Sequence, residues 1–149
     1  MKLNTEVFNI GHVIVQGIVG KTDQIKLMLS SKENNIHVLG LTETKLNGNH
    51  NDNLFHCKGY NKPLSRDRET AGGSMNVYIG EDVNAERQLD LESHEIESIW
   101  VEISKNNAKS FLVGFIYRPP SSKAIWNDNI LKQMEMFLHR RKKHTYLVI

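Results

Sequence analysis

The 149-residue chain carries 39% apolar and 24% charged residues, the balance of a globular chain with a core and not of a disordered one, and its length is that of one domain or a piece of one, 1–149. Nineteen Lys and Arg against seventeen Asp and Glu leave a formal charge of +2, so any basic surface for nucleic acid is local. No apolar run approaches the ~20 residues of a membrane span. The N-terminus lacks a signal peptide's apolar region and the single cysteine, Cys57, rules out an intramolecular disulfide, so the expectation is an intracellular soluble chain.

The first element is a strand over 7–15, apolar and β-branched, broken at Gly20. Thr22 is placed to cap a short amphipathic helix, 22–32, with Ile25, Met28 and Leu29 on one face. The run 36–41, "IHVLGL", reads as a buried strand, and strand, helix, strand in this span is a βαβ unit with a parallel sheet. Residues 42–71 read as a long polar loop anchored by Tyr60, and a loop that long in a domain is usually functional. Strands follow at 75–79, 98–103 and 111–117, with a charged segment, 83–91, between the first two. The pair around "KNNAK" reads as an antiparallel hairpin. A helix over 127–143 has Ile130, Leu131, Met134, Phe137 and Leu138 at helical spacing and basic residues in its last turn, and 145–149 reads as one more buried strand.

Chemistry is concentrated at strand ends. Glu43, in "GLTETKL", places a carboxylate at the C-terminal edge of a strand, where Mg²⁺ is held by one carboxylate, several waters and a substrate phosphate; a solvated Glu fits the same place. Tyr117 and Arg118 close the 111–117 strand before two prolines that end it, and the guanidinium suits bidentate phosphate contact as well as it suits a surface cation beside a packed aromatic. In open α/β sheets that edge is where ligands bind. Arg66 and Arg68, just before Gly72 and Gly73, read either as a segment tracking a phosphate backbone or as a solvated loop closing on a glycine turn. The run "HRRKK" (139–143) fits a nucleic-acid or nuclear-localisation patch, but a helix C-terminus explains it without a partner. Seven scattered histidines lack zinc-ligand spacing.

With "GLTETKL", "GY", "RDRETAGGSMNVYI", "SIWVEI" and "LVGFIYRPP" in this order, the chain resembles the endonuclease domain of non-LTR (LINE-like) retrotransposons, in the endonuclease/exonuclease/phosphatase superfamily. The resemblance runs from about residue 8 to the last residue and covers about the N-terminal two-thirds of such a domain. It implies an α/β fold, a partial four-layer sandwich of two packed β-sheets flanked by helices. It also implies hydrolysis of a DNA phosphodiester with Mg²⁺ (or Mn²⁺) as cofactor, and target-site nicking. Carried over by position, Glu43 is the metal ligand, Tyr117 the active-site tyrosine and Arg118 a phosphate contact. DNA is the implied partner, no membrane is involved, a reverse transcriptase domain belongs to the parent protein, and a functional copy is nuclear.

The departures shape the expectation of activity. Ile14, in "HVIVQG", stands where such domains carry an asparagine that organises the metal site, and Ser74 stands where a third glycine is common. The family's "GDFN" and Ser-Asp-His segments have no match within 1–149. The expectation is therefore an endonuclease-type stretch that is inactive as it stands. The alternative is a non-catalytic retrotransposon remnant with at most weak nucleic-acid binding, which Ile14 favours. A phosphoinositide or sphingomyelin phosphodiesterase shares the fold but not "RDRETAGG" with "IYRPP". An incomplete second sheet predicts exposed edges and self-association of the isolated chain.

Overall fold

The computed structural model describes residues 7–67, 73–139 and 144–148, with side chains up to residue 137 apart from residue 52. Two four-stranded sheets pack face to face among the described residues. The first takes β1 (Ile10–Ile14), β2 (Val38–Thr42), β3 (Leu64–Arg66) and β4 (Met75–Ile79) in the order β1-β2-β4-β3, with α1 (Thr22–Ser30) crossing from β1 to its parallel neighbour β2. The second takes β5 (Asn84–Arg87), β6 (Glu97–Ser104), β7 (Phe111–Tyr117) and β8 (His144–Val148) in chain order. There β6 and β7 form the antiparallel hairpin, and α2 (Ala124–His139) returns the chain to β8, parallel to β7.

Layering follows from which faces are apolar. Every residue of β2 and of β4 is buried, as nearly continuous apolar runs covered on both faces require. Val38, Met75 and Val77 meet Ile99, Val101, Val113 and Phe115 between the sheets. On the outer side of the first sheet, Leu39, Leu41 and Tyr78 pack with Ile25 and Leu29 of α1. On the outer side of the second, Trp100, Leu112 and Ile116 pack with Ile130 and Phe137 of α2, the Trp100 and Phe137 rings 4.1 Å apart. Each such fully buried side chain contributes about 1.5–3 kcal/mol. The result is the four-layer α/β sandwich. Two glycines set how closely its layers meet. A Cβ on Gly40 would lie 2.1 Å from the Phe115 ring, and one on Gly114 would lie 2.4 Å from the indole of Trp100, its partner across the β6–β7 ladder.

Several boundaries differ from the sequence reading, each for a local reason. Thr22 does not cap α1: it lies inside the helix, whose N-cap is Lys21 with no side-chain cap bond. The polar stretch 42–71 contains a 3₁₀ turn at Asp52–Phe55 and the strand β3. The charged segment 83–91 contains β5, whose alternation of exposed and half-buried residues marks a strand with one face in water. The second helix starts at Ala124, three residues before the expected Asn127, and the "RRKK" of its expected last turn lies outside the described residues. Among the described residues no helix is long and apolar enough to cross a membrane.

A candidate active site where the two sheets end together

The C-terminal ends of β2 and β7 lie on one edge of the sandwich, and there the two strongest sequence candidates meet. The Tyr117 hydroxyl donates to Glu43 Oε1 at 2.8 Å, across 74 positions of sequence and from one sheet to the other. Local geometry explains why a residue just past a strand points this way. Thr42 already faces the space between the sheets, where its Oγ1 lies 3.1 Å from His12 Nε2. Side chains alternate along a strand, so continued extension would send Glu43 to the outer layer. Instead Glu43 takes a left-handed φ of +56°, which breaks the alternation and lets its carboxylate reach Tyr117.

Glu43 is one of six residues in this conformation at the same edge. Gln16 (φ +50°) and Gly17 (+96°) leave β1, Glu43 and Lys45 (+57°) leave β2, and Gly73 (+77°) and Ser74 (+68°) enter β4. The three segments are tied together by backbone hydrogen bonds. Gly17 N–H donates to the Glu43 carbonyl at 2.8 Å, Thr44 N–H to that of Ser74 at 3.1 Å, and Lys45 N–H to that of Gly73 at 2.9 Å. The Ser74 hydroxyl, fully buried, donates to the Leu46 carbonyl at 2.7 Å, and the Lys21 ammonium donates to the carbonyl of Val15. Non-glycine residues in sparsely populated backbone regions cost about 1–3 kcal/mol each, and they persist where surrounding structure holds them, often at functional sites.

The other sequence candidates are distributed unevenly. Arg118 is exposed beside Tyr117. Its Nε donates to Ser122 Oγ at 2.9 Å and its guanidinium lies 5.2 Å over the Trp126 ring, while its terminal nitrogens meet no protein acceptor among the described residues. Arg66 is engaged within the protein: it donates to the Ser98 carbonyl at 2.9 Å and the Ser93 carbonyl at 2.5 Å, and lies 3.9 Å from Glu92. Arg68 lies outside the described residues. Ile14, 58% exposed, ends β1 directly opposite Thr42 and offers no donor to the edge.

Two polar residues at this edge escape a reading by sequence. Glu97 is buried at the start of β6 and pairs in register with Tyr117; the signal available was an acidic residue opening an apolar strand. His12 is half-buried beneath the edge, and burial pushes its pKa below 6.5. Its sequence context carries no zinc-ligand spacing and so gives no signal of the site.

The donor set suits one kind of cation. No group of three or more His, Cys, Asp or Glu side chains able to hold a metal occurs among the described residues. Glu43 Oε2 has no protein partner among them, since the hydrogen bond from Tyr117 engages Oε1. A single carboxylate open on one oxygen fits Mg²⁺, which keeps several waters and binds through one or two carboxylates plus substrate phosphate.

No family model and no curated protein sequence matches the chain. Solved structures do match. The endonuclease domain of TRAS1, a telomere-specific non-LTR retrotransposon, superposes over 95% of this chain with a TM-score of 0.61 at 12% identity. An AP endonuclease from Archaeoglobus fulgidus gives 0.60 over 91% at 17% identity, and the 3′ phosphatase NExo from Neisseria, bound to product DNA hairpin, gives 0.63 over 95% at 14%. The fold is thus of the endonuclease/exonuclease/phosphatase type. The chain spans 58%, 52% and 56% of those three chains, a little over half the length of each.

Proposed function

We propose that the chain is part of a divalent-metal-dependent DNA endonuclease domain of the non-LTR retrotransposon type, with Glu43 as the Mg²⁺ (or Mn²⁺) ligand, Tyr117 as the phenol that orients it and Arg118 as a phosphate contact. The observation that carries this reading is the hydrogen bond between Tyr117 and Glu43, which joins the two sheets at the edge where α/β sheets bind ligands. A donor fixed on one carboxylate oxygen orients the other for a ligand, the usual task of residues behind a metal ligand. When bound, the ion supplies positive charge against the oxygens of a scissile phosphate. Arg118, braced by Ser122 and Trp126, presents its terminal N–H groups for a bidentate phosphate contact. Arg68, named from the sequence and outside the described residues, stays in the reading as a candidate phosphate contact, whereas Arg66 is occupied by the Ser98 and Ser93 carbonyls. DNA as substrate, a reverse transcriptase domain in the parent protein and a nuclear location belong to the same reading. Residues 1–149 contain no counterpart of "GDFN" or the Ser-Asp-His segment, so the role assigned to this stretch is metal and phosphate binding and not strand cleavage.

Calorimetric titration with MnCl₂ and MgCl₂ tests it. The expected result is binding heat in the parent chain, none in Glu43→Ala, and about tenfold weaker binding in Tyr117→Phe. No heat in the parent, or equal heat in Glu43→Ala, overturns the metal assignment. One observation favours the second reading, a non-catalytic remnant: an exposed isoleucine occupies the mouth of the site at Ile14. Tighter metal binding in Ile14→Asn supports a damaged metal site; unchanged affinity supports the remnant.

A further inference from the structure

We infer that Ser74 is a positioning residue for Glu43, and that its buried hydroxyl keeps the turn after β2 in the conformation that delivers the carboxylate to Tyr117. The inference rests on the reading of Glu43 and Tyr117 as one site, but its test does not depend on metal.

The turn is under backbone strain on both sides. Glu43 and Lys45 adopt left-handed φ values without being glycine, and so does Ser74, which faces them from the start of β4. Left to itself a glutamate prefers a negative φ, and with it the strand alternation that directs its side chain to the outer layer. Backbone bonds from Thr44 and Lys45 to the Ser74 and Gly73 carbonyls hold the segments side by side, yet both stop at residue 45. The next tie is the Ser74 hydroxyl on the Leu46 carbonyl, at 2.7 Å and out of contact with water. Lys45, the second left-handed residue of the turn, is therefore bracketed by bonds from one residue, the Ser74 carbonyl taking the Thr44 N–H directly after Glu43 and the Ser74 hydroxyl reaching Leu46. A buried bond of this kind loses little to competition with solvent, and removing the hydroxyl leaves the Leu46 carbonyl without that donor.

A glycine at position 74 would reach the left-handed conformation without strain but could not bond Leu46 through a side chain. This gives two variants with opposite backbone consequences and the same loss of the hydroxyl. Ser74→Ala keeps the strain and removes the bond; Ser74→Gly relieves the strain and removes the bond.

The measurement uses the full chain labelled with 3-fluorotyrosine, free of divalent metal. It has four tyrosines, so the Tyr117 fluorine signal is identified by its loss in Tyr117→Phe. Glu43→Gln sets the position of that signal when the carboxylate is replaced. Both serine variants are expected to move the Tyr117 signal toward the Glu43→Gln position. Both should also speed amide exchange at Thr44 and Lys45 about fivefold to tenfold, with exchange in β6 and β7 unchanged. A Tyr117 signal in Ser74→Gly that coincides with the parent's overturns the role of the hydroxyl, and this variant decides the matter if Ser74→Ala fails to fold. If the serine variants behave as expected while the parent binds no Mn²⁺, the positioning role stands and the metal assignment falls. If the parent binds Mn²⁺ and the serine variants leave Tyr117 unmoved, the reverse holds.

Discussion

His12 lies under the Glu43 turn, close to Thr42, and its environment makes it sensitive to proton concentration. Burial lowers its pKa from 6.5, so in the folded protein the imidazole stays neutral at pH values where the unfolded chain has already taken up a proton. Above 6.5 both states are neutral and the residue contributes no slope. Below it the unfolded chain binds more protons than the folded one, and stability falls as pH drops until the folded-state pKa is passed. Melting temperature should therefore decline as pH falls below 6.5, and His12→Gln, which keeps a polar side chain beside Thr42, should lose part of that decline. Parallel melting curves for both proteins across that range would show that His12 does not carry it.

At the scale of elements, the two sheets are joined near the site by a cluster of charges. Glu92 receives a bidentate contact from Arg87, at 2.9 and 2.8 Å, and a bond from the Trp100 amide at 3.3 Å, and Arg66 of the first sheet lies 3.9 Å away. Arg66 also reaches β6 through the Ser98 carbonyl. The Glu92 side chain is only 9% exposed, so the cluster is better shielded than a surface ion pair. Glu92→Ala leaves two guanidinium groups facing each other without their anion, and urea denaturation should show a loss of about 2–3 kcal/mol. A loss under about 0.5 kcal/mol would mean that the contact behaves as a solvated pair.

This cluster also shows where sequence reading reaches its limit. The central strands were legible because burial on both faces demands nearly continuous apolar runs, as in "VLGLT" and "MNVYI", where Thr42 and Asn76 are the only polar residues. The short strands β3 and β5 were not legible: with three and four residues, and half of β5 in water, they carry too little apolar signal to separate from loop. Glu43, Tyr117 and Arg118 could be nominated because strand ends are marked by the change from apolar to polar residues. Glu97 could not, since nothing in its neighbours states that it falls in register opposite Tyr117. Arg66 read as a candidate phosphate ligand because sequence shows a charge but not the acceptors it finds, here two carbonyls of the second sheet.

For the whole molecule, the relevant surfaces are those the described residues leave uncovered. β8 pairs with β7 on one side and has no strand neighbour on the other among the described residues. On the outside of α2, Leu131 and Met136 are more than half exposed and Met134 is 38% exposed. An open strand edge and exposed apolar side chains together favour self-association. Light scattering behind size exclusion should therefore give a mass that rises with concentration, and Leu131→Lys combined with Met134→Lys should reduce the rise. A single sharp peak of monomer mass at every concentration would remove this expectation.

The 74 positions between Glu43 and Tyr117 have a consequence for the order of events in folding. The unit β1-α1-β2 and the hairpin β6–β7 are each built from near neighbours in the chain, and local contacts close early because they sacrifice little loop entropy. The bond between the carboxylate and the phenol has no such route, for it requires both sheets to be formed and then docked. It should be among the last contacts made during refolding and among the first to open under denaturant. A nascent chain that has emerged only as far as the β6–β7 turn already holds Glu43 but not Tyr117, so the carboxylate stays without this partner until the sandwich is shut.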